Sequence, residues 1–262
     1  MTLENAVCIV TGSATGIGAA TAVALCAKRA RVVVNYSKSA SAARDTADAC
    51  AAAGGEAIAI KADVADDADC RHLVRATLDK WGRIDALVNN AGTTKFADHA
   101  DLDALSADDF LRIYKVNVVG AYQMARACAP SLKASGAGAI VNVSSIAGRS
   151  GMGSSMAYAA SKGALLTLTL SLARSLGPEV RVNAVCPGLI DTRWTREGWG
   201  EKYAALEKRY RENSALGKVG TPQEVADVIA WLVEGASLVT GETFMVDSGM
   251  HMGAMPARSR VP

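Results

Sequence analysis

Short apolar runs recur along the chain at 6–10, 31–35, 57–60, 86–89, 139–143, 180–185 and 243–246. They are rich in Val, Ile, Leu and Ala and do not alternate with polar residues. Each therefore predicts a strand covered on both faces, the situation of a parallel sheet. Between them lie longer segments with helical periodicity, at about 17–29, 40–53, 66–81, 106–133, 155–176 and 222–234. Strand–helix alternation with short connections dictates βαβ units, and hence one doubly wound α/β domain with a mostly parallel seven-stranded sheet and helices on both faces. Punctuation agrees: Ser106 with Asp109 reads as a capping box and Thr221-Pro222 as a helix start, while Gly54-Gly55 and Gly177-Pro178 read as stops.

At 262 residues, half of them apolar, the chain buries a large core without covalent staples. A formal net charge of +2 is too mild to announce a nucleic-acid or membrane surface. No run approaches the ~18 apolar residues of a membrane span, and Met1–Asn5 lack the pattern of a signal peptide. The expected setting is cytoplasmic, with neither membrane nor nucleic acid as partner. The six cysteines form no C-x-x-C pair and have no histidine at metal spacing, so reduced thiols and no metal are expected. Cys186 reads as inert.

Two segments break the rhythm. Residues 188–215 make a long excursion after a strand end, carrying Trp194 and Trp199, then a charged helical stretch. This is the place for a substrate lid; a surface helix-turn-helix anchored by its tryptophans is the plainer alternative. Residues 1–252 form the expected domain, and 253–262 a flexible tail. The acidic cluster at Asp98, Asp101, Asp103, Asp108 and Asp109 lacks the glycine and final glutamate of a calcium loop and reads as a solvated loop leading into a helix.

Chemistry begins where the first strand ends in Thr11-Gly12-Ser13-Ala14-Thr15-Gly16-Ile17-Gly18 and turns into helix. Glycines at this point allow a tight turn and bring backbone N–H groups toward a pyrophosphate at the helix's positive end. The spacing is G-x-x-x-G-x-G, neither the G-x-G-x-x-G fingerprint nor a P-loop. Alone, it could also be a structural turn. Further along, Tyr158 and Lys162 stand four residues apart on one helix face. A phenol titrating near 10 is a poor base at neutral pH, and lowering it by roughly three units takes about 4 kcal/mol. A neighbouring ammonium and an oxidised nicotinamide can both contribute to that.

These elements occur together with Asn89-Asn90-Ala91-Gly92, Asn117, Ser145 and Pro187-Gly188, in the order and spacing of the short-chain dehydrogenase/reductase family. From about residue 4 to Gly249 the chain resembles that family, and its 3-oxoacyl-(acyl-carrier-protein) reductase-like members in particular. The resemblance implies a Rossmann-type domain, oxidoreductase activity on a carbonyl or secondary alcohol, and a homotetramer or dimer built on the 155–176 helix, whose Leu165, Leu166, Leu168, Leu170 and Leu172 spread over more than one face.

It also implies a catalytic set of Asn117, Ser145, Tyr158 and Lys162. Ser145 is preferred to Ser144 because it lies the family's 13 positions before Tyr158. Asn117 would hold a water beside the lysine, although a locally satisfied buried amide is the bland reading. Cofactor contacts fall on Gly12, Ser13, Thr15, Gly16, Ile17 and Gly18, then on Asn35, Tyr36, Ser37 and Lys38. Asp63 and Val64, Asn90, Ala91 and Gly92, Tyr158, Lys162, Pro187, Gly188, Ile190 and Thr192 complete that set. The end of the second strand, Tyr36-Ser37-Lys38, has no carboxylate before Asp45. Ser37 and Lys38, helped by Arg44, suit a 2′-phosphate, so NADP(H) is favoured over NAD(H).

Ser145, Met152, Tyr158, Trp194 and Trp199 are expected at the substrate, in an apolar cleft with one polar group. The arginines expected of carrier-protein-reducing members are absent from 135–138 and 177–179. A small ketone, a sugar or another secondary alcohol stays open beside a 3-oxoacyl thioester. A non-catalytic NADP(H) sensor is the different-class alternative, disfavoured because Tyr158 and Lys162 are both present. A serine hydrolase has no G-x-S-x-G elbow to stand on.

Overall fold

The computed structural model describes residues 1–253. Its strands are β1 Val7–Val10, β2 Arg31–Tyr36, β3 Glu56–Lys61, β4 Ala86–Asn89, β5 Gly138–Val143, β6 Val180–Pro187 and β7 Thr243–Val246. All neighbours pair in parallel, in the order β3-β2-β1-β4-β5-β6-β7. The helices are α1 Gly16–Cys26, α2 Ala40–Ala52, α3 Asp67–Trp81, α4 Ala107–Tyr114, α5 Ala121–Ala134, α6 Ala147–Ser150, α7 Met156–Leu176, α8 Arg193–Trp199, α9 Tyr203–Asn213 and α10 Pro222–Glu234. The expected tail lies, apart from Gly253, outside the described residues.

Successive strand residues feed opposite layers. Cys8, Val10, Val32 and Val34 join one buried cluster with Leu25 of α1 and Ile229 of α10. Ile9, Val33, Leu87 and Ile140 join another with Leu73 of α3, Met124 of α5 and Leu172 of α7. This two-sided covering is why the strands read as unbroken apolar runs. Strand order reverses between β1 and β4, which opens a crevice at the carboxyl ends of the strands. All six cysteines are buried and unpaired. Among the described residues, no helix is long and apolar enough to cross a membrane.

The caps are as read: Ser106 with Asp109, and Thr221 with Glu224, form reciprocal capping boxes. One expectation changes. The single helix expected over 106–133 is broken by a π-helical turn, Lys115–Gly120, between α4 and α5. The Val-Asn-Val-Val-Gly run at 116–120 is weak helix-forming sequence. The turn carries Asn117 into hydrogen bonds with the Thr93 main chain and Ser161. Such bulges favour functional positions. The excursion at 188–215, in turn, is structured throughout much of its length. Thr192 caps α8 reciprocally with Thr195, and α9 follows after a short 3₁₀ turn, Gly200–Lys202. The segment is tied down by Arg196 on Asp191 and by Tyr210 Oη donating to the Asp247 carbonyl at 2.6 Å.

Candidate active site

The β1–α1 turn is built from backbone that needs glycine. Gly12 has φ +60°, and a Cβ there would stand 2.8 Å from the Ala91 Cα. Thr11 Oγ1 accepts from both Asn90 N and Ala91 N at 3.0 Å, lacing the ends of β1 and β4 together. Asn90 Nδ2 donates to the carbonyls of Thr11 and Gly12, and Asn35 Oδ1 accepts from Gly12 N at 3.0 Å. Thr15, the N-cap of α1, makes no side-chain cap, and no acidic residue lies in that helix's first turn. The positive end of α1 thus faces the crevice with its N–H groups unclaimed by side chains, which fits a bound pyrophosphate.

A cleft of about 640 Å³ runs from this turn across the carboxyl ends of the strands. Gly12, Thr15, Gly16, Ile17, Asn35, Ser37, Lys38, Asp63, Val64, Asn90, Ala91, Gly92, Pro187, Gly188, Ile190 and Thr192 all line it, as do Ser145, Tyr158, Lys162 and Trp194. Other expected contacts stand outside the lining. Ser13 is fully buried: its hydroxyl donates to the Val10 carbonyl at 2.6 Å and accepts from Asn35 N, so it fixes the turn to β2. Gly18 is a packing glycine, for a Cβ there would meet Asn90 Nδ2 and the Gly12 carbonyl. Tyr36, Arg44, Asn117, Met152 and Trp199 are likewise not in the lining.

The residues expected to handle the proton converge on the floor between β4, β5 and α7. Lys162 is buried, and its Nζ donates to the Val143 carbonyl at 2.7 Å, 5.6 Å from the centre of the Tyr158 ring. Burial lowers the ammonium to about 8. Burial also pushes the Tyr158 hydroxyl up to about 12, opposed by a hydrogen bond with Ser145. The Lys162 ammonium, though close to the ring, is engaged by the Val143 carbonyl. Ser144 and Ser145 are sharply different. Ser144 is buried and donates to the Lys162 carbonyl at 2.8 Å, whereas Ser145 is half-buried with its hydroxyl beside Tyr158.

Asn117 Oδ1 accepts from Thr93 N at 2.8 Å, and its Nδ2 donates to the Thr93 carbonyl and to Ser161 Oγ. Gly92 leaves room beside this amide: a Cβ at that position would lie 3.5 Å from Asn117 Oδ1 and 3.6 Å from Lys162 Nζ.

Over the floor hangs a series of rings. The Tyr158 and Trp194 centroids are 6.2 Å apart, those of Trp194 and Phe96 are 5.5 Å apart, and those of Phe96 and Trp199 are 5.4 Å apart. Trp199 therefore reaches the site through Phe96 rather than directly. Met152 is two-thirds exposed.

A family model described as enoyl-(acyl carrier protein) reductase matches residues 12–251. A crystal structure of a short-chain dehydrogenase/reductase from Burkholderia xenovorans superposes with a TM-score of 0.89 at 41% identity, covering 95% of this chain and 99% of that one. The chain belongs to the short-chain dehydrogenase/reductase family. Among relatives of this dehydrogenase/reductase, the granaticin polyketide synthase ketoacyl reductase 2 of Streptomyces violaceoruber is 43% identical over 95% of the chain and 97% of its own length. An L-rhamnose 1-dehydrogenase (NAD(P)(+)) of Azotobacter vinelandii is 39% identical over 96% of the chain and 99% of its own. The family is an oxidoreductase family that uses NAD(P)(H) and acts on CH–OH groups.

Sequence reasoning passed over three features of this dehydrogenase/reductase. Phe96 is one of only three phenylalanines and sits in a loop after a strand's carboxyl end, a signal that could have marked it. The Val143 carbonyl carries no signature, since any residue supplies one. Arg112, Lys115 and Arg193 line the cleft from separate elements and could not be grouped from spacing alone.

Proposed function

We propose that this short-chain dehydrogenase/reductase reduces a carbonyl with NADPH, or oxidises the matching secondary alcohol with NADP⁺, through Tyr158, Ser145 and Lys162. The convergence of these three side chains in the cleft into which the Gly12–Gly18 turn opens supports the reading most directly. When bound, the dinucleotide supplies or accepts the hydride. The β1–α1 turn, Asp63, Val64, Asn90 and Pro187 to Thr192 would hold it.

At neutral pH a phenol pushed up to about 12 keeps its proton. Tyr158 is then a ready donor to the substrate oxygen in the reductive direction. Ser145 holds that oxygen while charge builds on it. Lys162, cationic below about 8, stabilises the phenolate left behind until it regains a proton. A water in the space kept open by Gly92 would link Lys162 Nζ to Asn117 Oδ1 and return the proton from solvent.

NADP(H) is assigned over NAD(H) because Ser37 and Lys38 line the cleft just beyond β2, and the first turn of α2 carries no acidic residue. The substrate reading, a 3-oxoacyl thioester or another ketone ahead of a sugar, draws on the name of the granaticin relative and on the apolar rings at the mouth. A sugar or other small secondary alcohol is the second reading, favoured by the rhamnose dehydrogenase name. We assign residues 188–215 as the cover over the substrate, with α8 bringing Trp194 over Tyr158. Self-association as a dimer or tetramer is assigned to the face where α7 exposes Leu170 and the adjoining α4 and α5 expose Phe110, Leu111 and Tyr122. Six buried unpaired thiols suit a reducing, cytoplasmic setting.

Following nicotinamide absorbance with ketones, 3-oxoacyl thioesters and L-rhamnose, against both cofactors, tests the assignment. Ketone-dependent NADPH oxidation is expected. Rhamnose oxidation without any ketone reduction would overturn the ketone reading in favour of the sugar.

A further inference from the structure

The rings beside Tyr158 form a ladder. The sequence Tyr158, Trp194, Phe96, Trp199 steps by 6.2, 5.5 and 5.4 Å between centroids, at interplanar angles of 44°, 54° and 79°. These tilted and edge-on arrangements lie in the range in which aromatic rings attract one another. The ladder joins two distant segments. Phe96 comes from the loop after β4, and the two tryptophans from α8. The Phe96 ring occupies the space a side chain at residue 198 would need, and Gly198 provides it.

Two observations separate this ladder from ordinary core packing. Trp194 is 45% exposed although it lines the cleft and stands beside the catalytic tyrosine. A ring whose role was only to fill the core would be covered. In addition, neighbouring polar groups are turned onto one another. Thr94 Oγ1 hydrogen-bonds Ser154 Oγ at 2.8 Å, His99 Nε2 hydrogen-bonds the Gly153 carbonyl at 3.2 Å, and Ala97 N donates to the Ser154 carbonyl. These bonds pin the 93–99 loop onto the 151–155 loop and so fix the Phe96 ring beside Trp194.

We infer that the substrate carries its ketone on an aromatic ring system, and that Trp194, buttressed by Phe96 and Trp199, selects that ring over a saturated one of the same size. The inference rests on the carbonyl-reductase reading above and narrows its substrate class. An aromatic guest gains both apolar burial and the ring-quadrupole contact. A saturated guest gains only the burial. A contact of this kind is worth about twofold to tenfold per ring pair.

The test compares 2-tetralone with trans-2-decalone, bicyclic ketones of the same skeleton of which only the first has an aromatic ring. Turnover with NADPH is measured, and binding is followed by tryptophan fluorescence of the NADP⁺ complex. The wild type is expected to favour 2-tetralone by about tenfold in kcat/KM and in Kd, and W194L and F96L to bring both ratios close to one. Equal efficiency and equal binding for the two ketones would overturn the inference while leaving the reductase reading intact. So would a preference that W194L and F96L do not change. Tighter binding of 2-tetralone with reduction of neither ketone would support the ladder and sink the reaction. Binding of neither would overturn the ladder.

Discussion

Lys162 Nζ donates to the main-chain carbonyl of Val143, the last residue of β5, at 2.7 Å, and it does so from a buried position. The strand end thus supplies a fixed acceptor for an ammonium that burial has brought down to about 8. Holding that charge out of water costs stability, and the cost depends on pH. Between about 8 and the ordinary lysine value near 10.5, the unfolded chain binds the proton and the folded one does not. This group's contribution therefore makes folding more favourable as pH rises through that window.

Replacing Lys162 with Met removes the ionisation but also strands the Val143 carbonyl, a loss that does not vary with pH. Urea unfolding of both proteins from pH 7 to 10.5 should show the wild type gaining on Lys162→Met by about 3 kcal/mol across the window. The raised Tyr158 hydroxyl is common to both and cancels. A gap independent of pH would show that the ammonium is not desolvated.

Adjacent serines should separate by what they lose. Ser144→Ala strips the Lys162 carbonyl of a buried donor and should lower stability by about 1–3 kcal/mol. Ser145→Ala leaves the fold near wild type and should lower kcat by roughly a hundredfold, the effect of removing a donor to a developing oxyanion. Thermal melts and steady-state kinetics on the two variants check this. The reverse pattern would reassign the role to Ser144.

Lys38 lies in the cleft just beyond β2 and carries no ion pair among the described residues. Lys38→Glu should cost NADPH at least about tenfold in kcat/KM, by loss of one charge-assisted contact to phosphate and gain of a like charge, and should leave NADH much less affected. Parallel saturation curves with the two cofactors give the ratio. A wild type that prefers NADH would remove the assignment.

What could be read in advance followed from local signals. β4, β7 and α10 have the expected bounds because Thr221-Pro222 starts α10 and each strand is a short, mostly apolar run. The glycine turn and the Tyr158/Lys162 pair were legible since their chemistry needs those residue types at close spacing. The π-turn at Asn117 was not, because its reason, hydrogen bonds to Thr93 and Ser161, lies 24 and 44 residues away in the chain. Ser13 was read as a ligand contact from its place in the motif, yet its hydroxyl faces β2. Phe96 stayed hidden since a ladder of rings exists only once α8 folds over the β4 loop. The setting of the tyrosine was only partly legible for a similar reason. Spacing brings Lys162 near, but only the fold shows where its ammonium points.

Proton transfer turns on the Tyr158 hydroxyl as the carrier. Single-turnover reduction of a ketone by the NADPH complex of Tyr158→Phe, alongside cofactor Kd by fluorescence, tests it most directly. The variant should bind NADPH within about twofold of wild type and lose at least about a thousandfold in the hydride-transfer rate, at the upper end of what one positioned acid contributes. A hydride-transfer rate within tenfold of wild type would contradict it.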